Sequence, residues 1–229
     1  MAAFQGAQPF PHLVIDRALP EGIIEAAADA WPSADWPGWF KYGSSFEAKL
    51  ACNDRCELPQ PCADLLYALN AIPLGDMVGI GDLVPDATFH GGGLHGMGPG
   101  GKLDMHLDCD RHPKLGLRRR LNLILYANPE WDDSWNGHLE LWDRTMSTCV
   151  QRIAPVWNRL VVFETSDFSF HGVPEQIKCP PGTMRRSFAT YLWTPDLTDT
   201  KRPRAQFVAR PQDDRSEAAE LSRSLRSKI

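Results

Sequence analysis

The stretch KLDMHLDCDRH, residues 102–112, alternates apolar and polar side chains as a half-buried β-strand does. Side chains two residues apart in a strand point to the same side, about 6.5–7 Å apart along the chain. His106 and Asp108 therefore project together, while Met105 and Leu107 face the opposite way. The stretch predicts a strand with an apolar face and a polar face that holds an imidazole beside a carboxylate.

Six further strand-like runs follow along the chain. They are RRLNLILYAN (119–128), GHLELWD (137–143), CVQRIAP (149–155), NRLVVFET (158–165), FHGVPEQI (170–177) and RRSFATYLWT (185–194). Turn-forming residues separate them, such as Asn-Pro at 128–129, Asn-Gly at 136–137 and Pro-Pro-Gly at 180–182. No run typical of a crossover helix lies between them. About seven or eight short strands between residues 85 and 195 therefore predict a mainly β protein, an antiparallel sandwich or jelly roll.

The N-terminal part of the chain has a different character. The runs EGIIEAAADAW (21–31) and CADLLYALNAI (62–72) have apolar residues at helical spacing, and HLVIDRALP (12–20) is typical of a short strand. Residues 32–61 are rich in Pro, Gly, Trp and Cys, and we expect them to be mostly irregular. We expect a single domain over residues 1–229, with a core at 85–195, helical and strand support at 1–84, and a peripheral helix or tail at 213–229.

Composition excludes several classes of protein. The 229 residues carry a formal net charge of −5, which gives no electrostatic reason to expect a nucleic-acid partner. No apolar run approaches the roughly 20 residues of a membrane span, and we expect neither a membrane segment nor a signal peptide. The six cysteines form no CxxC pair. Scattered cysteines are typical of reduced thiols, so we expect a cytoplasmic protein.

A second histidine makes the His106/Asp108 pair more informative. His171 follows the strand-like run at 158–165 after a short link. Two imidazoles and one carboxylate are the donors of open-faced non-haem Fe(II) sites, which leave positions for a co-substrate and O₂. An arginine-bearing strand, RRSFATYLWT, comes next, and the planar guanidinium matches the carboxylate of an anionic co-substrate.

The order His106-x-Asp108, His171, Arg185-x-Ser187 resembles the Fe(II)/2-oxoglutarate-dependent oxygenases, and most closely their prolyl-4-hydroxylase-like branch in bacteria. The resemblance covers about residues 90–194. It implies a double-stranded β-helix, a cupin-like jelly roll with the N-terminal helices packed outside. It also implies that His106, Asp108 and His171 bind Fe(II). The implied reaction hydroxylates a C–H bond with O₂ while 2-oxoglutarate is decarboxylated to succinate and CO₂, with ascorbate as a supporting reductant.

The same resemblance implies that an arginine binds the distal carboxylate of 2-oxoglutarate. Arg185 is the better candidate because Ser187 shares its face and can add a hydroxyl. Arg186 is the alternative, since a one-residue slip in register exchanges the two faces of a strand. Tyr126 occupies the place where related hydroxylases present a tyrosine hydroxyl to the same carboxylate.

Other features leave alternatives open. The glycine-rich segment 91–101 suggests a tight turn or a flexible lid, and His95 within it could contact substrate or co-substrate. The arginines at 118–120 are typical of a solvated strand start. The substrate could be a small molecule or a peptide, and the oligomeric state is open. A non-catalytic, cupin-like protein that binds a metal or a small anion is the alternative function, although such a protein has no use for the arginine.

Overall fold

The computed structural model describes residues 2–195 and 202–213, and strands dominate them. The α-helices are α1 (Ala2–Gln5), α2 (Glu21–Asp29), α3 (Gln60–Asn70) and α4 (Leu74–Val78). The first strands are β1 (His12–Asp16), β2 (Phe40–Gly43), β3 (Glu47–Cys52), β4 (Val84–Pro85), β5 (Gly93–Met97) and β6 (Lys102–Leu107). The later strands are β7 (Leu117–Tyr126), β8 (Leu139–Trp142), β9 (Cys149–Ile153), β10 (Arg159–Glu164), β11 (His171–Val173), β12 (Arg185–Pro195) and β13 (Gln206–Phe207). A short 3₁₀ helix spans Asp133–Trp135.

The strands form one curled antiparallel sheet. Its order is β1-β10-β7-β12-β5-β3-β6-β11-β8-β9, and β2, β4 and β13 pair with β3, β12 and β6, respectively. Strands that are distant in the chain lie side by side, as β12 does between β7 and β5. This arrangement confirms the predicted mainly β fold with a jelly-roll core. All seven strand-like runs of the sequence contain a strand of the structure.

The two faces of β7 show why the helices lie outside. Leu121, Leu123 and Leu125 alternate along the strand and are fully buried against the helical layer. Side chains of α2 and α3 complete this apolar core, including Leu65 and Leu66. Fully burying a leucine side chain stabilises the fold by about 1.5–3 kcal/mol. The opposite face of β7 is therefore left for the interior of the curled sheet.

The segment 32–61 contains two strands that the sequence did not predict. It contains β2 and β3, and β3 pairs with both β5 and β6, so it joins the two halves of the sheet. The strand carries charged side chains at Glu47 and Lys49 that line a cavity rather than solvent. Alternation of apolar and polar residues is hidden when the inner face of a strand is itself polar. Most of the segment is irregular, as predicted, but the prediction missed β2 and β3.

The glycine-rich segment 91–101, for which we expected a tight turn or a flexible lid, holds strand β5, and a turn follows at residues 99–100. Gly93 has φ +86°, and a Cβ at this position would lie 2.0 Å from the carbonyl oxygen of Cys52. A Cβ at Gly96 would lie 2.3 Å from the sulfur of Met184. These glycines allow β5 to approach its neighbours closely, which a larger residue would prevent.

Two further predictions concern a membrane-spanning segment and the C-terminal residues. None of the described helices has both the length and the apolar character to cross a bilayer. The expected peripheral helix or tail at 213–229 lies, apart from Asp213, outside the described residues.

We expect Gly93→Ala to lower the free energy of unfolding by roughly 4 kcal/mol, through the clash with the Cys52 carbonyl added to backbone strain. Gly100→Ala is the matched control, because Gly100 has φ +78° and open space where a Cβ would lie. That control should cost about 1–2 kcal/mol from strain alone. Urea unfolding measures both values, and equal losses would show that the close approach at Gly93 does not matter.

Candidate active site

Two histidines face each other on neighbouring strands. His106 on β6 is the register partner of His171 on β11, and their ring centroids lie 4.3 Å apart. The Nδ1 atom of His106 lies 2.9 Å from the carbonyl oxygen of Asp104, and that of His171 lies 2.9 Å from the carbonyl oxygen of Ser169. A carbonyl oxygen only accepts, so each Nδ1 carries the proton and donates it. Each Nε2 therefore keeps a lone pair, as a metal-binding imidazole requires.

The carboxylate of Asp108 completes a triangle with these nitrogens. Its Oδ1 lies 3.6 Å from Nε2 of His106, and its Oδ2 lies 3.4 Å from Nε2 of His171. All three donors lie within 4.8 Å of one another. Two ligands bound at right angles, about 2.1 Å from one ion, are roughly 3 Å apart, so small movements would close this triangle on a metal. The donor set fits an open-faced Fe(II) site.

The surroundings keep Asp108 ionised and His106 neutral. Burial opposes ionisation of Asp108, but the charges of Arg119 and His171 outweigh it and hold the pKa of Asp108 well below its ordinary value. Burial and the neighbouring His171 lower the pKa of His106, against the effect of Asp108. A carboxylate and a neutral imidazole are the forms that bind metal.

Arg185 lies on β12 with 3% of its surface exposed. Its Nε donates to the carbonyl oxygen of Gly137 at 2.7 Å, and one terminal nitrogen donates to the Tyr126 hydroxyl at 3.2 Å. Burial lowers the pKa of Arg185, yet a guanidinium is not deprotonated in proteins, so the charge remains. Within residues 2–195 and 202–213, no carboxylate forms an ion pair with it. A buried guanidinium without a counter-charge is a natural site for an anionic ligand.

The register of β12 separates the two candidate arginines. Arg185, Ser187, Ala189 and Tyr191 all line one cavity. Arg186 points the other way, where its guanidinium lies 3.4 Å from a carbonyl oxygen of α2. The structure therefore brings Arg185, and not Arg186, to the cavity that the metal-binding triangle also lines.

The cavity has a volume of about 250 Å³. Its lining includes His106, Asp108, His171, Arg185, Ser187, His95, Lys49, Tyr42, Arg119, Asn122 and Phe207. Tyr126 is fully buried behind Arg185, with Ser187 as its register partner on β12. The predicted site residues thus converge on one cavity or, for Tyr126, on the arginine that lines it.

His95 faces this cavity from β5 as a neutral group. Burial, together with the charges of Lys49 and Arg185, lowers the pKa of His95 to about 3. The imidazole is therefore uncharged at neutral pH and can exchange hydrogen bonds with a ligand without adding charge.

Arg119 was missed by the sequence analysis, which placed residues 118–120 in solvent. It is 2% exposed, and one terminal nitrogen lies 3.3 Å from Oδ1 of Asp108. Another terminal nitrogen lies 3.1 Å from Sγ of Cys109, and the guanidinium carbon lies 3.7 Å from the ring centroid of Tyr191. Arg119 is therefore the buried counter-charge of Asp108.

A β-bulge in β7 explains why strand alternation did not predict that Arg119 faces the interior. Leu192 pairs with Leu121, but the next residue, Trp193, pairs with Arg119. Arg120 is the extra residue of the bulge, and the bulge reverses the faces of the residues before it. Arg119 consequently shares the inner face with Asn122, although their positions differ by three.

The chain after β12 adds a second feature that sequence patterns did not indicate. Arg202 donates from Nε to the carbonyl oxygen of Asp108 at 2.9 Å and pairs with Asp167 at 2.8 Å. Phe207 on β13 lines the cavity, with its ring 5.6 Å from the ring of His106. A two-residue strand is too short to show alternation, so this wall of the cavity appears only in three dimensions.

Parts of the chain are similar in sequence to a known protein family and to a curated protein. Residues 92–193 match the 2OG-Fe(II) oxygenase superfamily. Over 84 residues the chain is 38% identical to "Prolyl 3-hydroxylase OGFOD1" of Mus musculus, a match that covers 35% of this chain and 15% of the mouse protein. The match thus spans only a small part of that curated relative.

Solved structures of prolyl hydroxylases share the fold. A prolyl-4-hydroxylase of Pseudomonas putida superimposes with a TM-score of 0.62 at 18% identity, over 84% of this chain and 97% of that chain. A prolyl hydroxylase of Trichoplax adhaerens, in complex with a peptide fragment of the hypoxia inducible factor oxygen degradation domain, gives a TM-score of 0.55 at 14% identity. The second match covers 80% of this chain and 83% of that chain. At these identities the likeness concerns the fold alone.

We expect Arg119→Met to lower the free energy of unfolding of the metal-free protein by roughly 3 kcal/mol, because Asp108 would remain a buried carboxylate without its counter-charge. Arg120→Met is the matched control, since Arg120 forms a partly exposed pair with Glu164. That control should cost about 0.5 kcal/mol. Urea unfolding measures both changes.

Urea unfolding of Arg119→Met in an Asp108→Asn background separates the effect of the Arg119–Asp108 charge pair from the effect of packing. Because the asparagine carries no charge for Arg119 to neutralise in this background, Arg119→Met should lower the free energy of unfolding by less. An equal cost in both backgrounds would show that Arg119 stabilises the fold by packing and not through Asp108.

Proposed function

We propose that this protein, whose residues 92–193 match the 2OG-Fe(II) oxygenase superfamily, is a 2-oxoglutarate-dependent hydroxylase. The observation that carries the proposal is a single cavity lined by both a His-Asp-His triangle and a buried arginine that has no acidic partner among the described residues. A metal ion and a dicarboxylate can occupy such a cavity together. Neither feature alone would distinguish an oxygenase from a simple metal site.

Each residue then has a defined role. His106, Asp108 and His171 hold Fe(II), and Arg185 binds the distal carboxylate of 2-oxoglutarate. With Fe(II), 2-oxoglutarate and O₂ bound, the site supplies oxidative decarboxylation to succinate and CO₂, coupled to hydroxylation of a C–H bond. We include ascorbate as a supporting reductant in this proposal.

Tyr126 assists Arg185. The Tyr126 oxygen accepts a hydrogen bond from Arg185, so the hydroxyl proton remains available for a ligand carboxylate. Burial raises the pKa of Tyr126 although Arg185 opposes the rise, so the hydroxyl stays protonated at neutral pH. Ser187, on the same strand face as Arg185, offers a second hydroxyl. The three groups together form an anion site held by β7 and β12.

We expect His106→Ala, Asp108→Ala and His171→Ala each to abolish the release of succinate from 2-oxoglutarate, because each removes one of three metal donors. The assay contains Fe(II), ascorbate and O₂, and it detects slow turnover without a primary substrate. Full activity in any of these variants would remove that residue from the site.

Arg185→Met should raise the KM for 2-oxoglutarate by 100-fold or more, since a charged carboxylate would lose its buried partner. Arg186→Met is the matched control, because Arg186 lies on the opposite face of β12 and points to α2. Its KM should stay within about twofold of the unaltered protein. The reverse pattern would assign the anion site to Arg186.

For the primary substrate we propose a small molecule or a peptide, and a prolyl residue is the first candidate to test. The relatives described above are named as prolyl 3-hydroxylase and prolyl 4-hydroxylase, and the Trichoplax adhaerens structure contains a peptide fragment. A library of prolyl peptides, free amino acids and small metabolites, screened for the mass gain of one oxygen atom, compares these classes directly. Fragmentation of a hydroxylated prolyl product would distinguish position 3 from position 4.

A metal-binding protein without catalysis is the alternative function. Such a protein would bind the ion through the same three donors, and succinate release would be absent. Arg185 is buried and has no carboxylate partner in the part of the chain that the structure describes. This favours the hydroxylase, because a metal binder gains nothing from the cost of burying that charge.

A further inference from the structure

The three donors of the site are held in place in two different ways. His106 and His171 lie inside strands, and each ring is fixed by a hydrogen bond to a backbone carbonyl two residues before it. Asp108 lies beyond β6, which ends at Leu107, so the strand ladder does not fix its backbone. Its carboxylate needs another means of orientation, because two single bonds allow it to rotate.

Asn122 supplies a partner for this carboxylate. Its side-chain amide nitrogen donates a hydrogen bond to Oδ2 of Asp108. Asn122 is 2% exposed and lies between Leu121 and Leu123 on β7, both fully buried. A buried amide costs free energy unless its hydrogen bonds are made. Its position on the inner face of β7 therefore indicates a role at Asp108.

Thr165 holds the oxygen end of the Asn122 amide, while the nitrogen end donates to the acceptor-only carboxylate of Asp108. The Thr165 hydroxyl lies 3.1 Å from the amide oxygen of Asn122 and donates to it. Thr165 is 3% exposed, and its backbone nitrogen donates to the carbonyl oxygen of Arg120 at 2.9 Å. A flipped amide would place its oxygen against the carboxylate and its nitrogen against the hydroxyl. The pair Asn122–Thr165 thus has one favoured arrangement.

Arg119 does not replace this pair. It lies at the other oxygen, 3.3 Å from Oδ1, where it supplies positive charge. Oδ1 is the oxygen nearer His106, and Oδ2 is the oxygen nearer His171. Charge can be supplied from many directions, whereas the Asn122 amide fixes the rotation of the carboxylate about its last bond.

We propose that Asn122 and Thr165 are positioning residues that hold the Asp108 carboxylate toward both histidines and so set the metal affinity of the site. The inference rests on the proposed function. Without the pair, the carboxylate would rotate among several orientations, and only a fraction of molecules would present all three donors. Apparent metal affinity falls in proportion to that fraction. Loss of a partner that orients a metal ligand typically costs 10–100-fold in affinity.

The test compares Thr165→Val with Thr165→Ser. Valine has the shape of threonine without its hydroxyl, and serine keeps the hydroxyl. The dissociation constant for Co(II), titrated without 2-oxoglutarate and followed by the visible absorption of the bound ion, should rise about 10-fold in Thr165→Val. It should stay within about twofold of the unaltered protein in Thr165→Ser. Asn122→Ala should raise it about 10–100-fold.

Two readouts separate this inference from the proposed function. Arg185 is untouched, so the KM for 2-oxoglutarate, measured at saturating metal, should not change in Thr165→Val. If Thr165→Val binds Co(II) as tightly as Thr165→Ser, while the unaltered protein binds Co(II) and releases succinate, the positioning role is wrong and the proposed function stands. If the unaltered protein neither binds Co(II) nor releases succinate, the proposed function is wrong, and the positioning role that rests on it is wrong as well.

Discussion

The antiparallel pairing of β6 with β11 places His106 opposite His171, and the rest of the site is arranged around that contact. Strand pairing brings together two side chains that are 65 positions apart in the chain, and it does so without any loop that could move one against the other. Each ring is then turned by a local carbonyl so that its Nε2 faces inward. Two donors are therefore held by the backbone itself, and only the carboxylate needs separate support.

The balance of charge in the interior follows from this constraint. A buried carboxylate between two imidazoles costs free energy, and Arg119 offsets that cost with its positive charge at Oδ1 of Asp108. Arg185 has no such partner among the described residues, and its donors instead meet a carbonyl and a tyrosine hydroxyl. The cavity is therefore ready for a cation at one place and for an anion at another. That division is what distinguishes it from a metal site alone.

The outer face of the sheet supplies the rigidity that this arrangement requires. Leucines of β7 and the apolar faces of α2 and α3 form one continuous core behind the strands that carry the anion site. The glycines of β5 let a neighbouring strand approach closely on the other flank. Because packed interiors resist displacement, side chains on the inner face keep their positions to within small distances.

The sequence by itself determined the strand-rich character, the outer helices and the identity of the donors. Alternation of two in a strand is set by local backbone geometry, so His106 and Asp108, or Arg185 and Ser187, could be assigned to shared faces. Only the tertiary structure decided that Arg185, and not Arg186, faces the cavity. It also revealed Arg119 and Asn122 beside Asp108, and the wall at Phe207. A bulge exchanges the faces of a strand, a polar inner face hides the apolar alternation of β3, and partners from distant strands share no local pattern. Those contacts depend on how the sheet closes, and closure is a property of the whole chain.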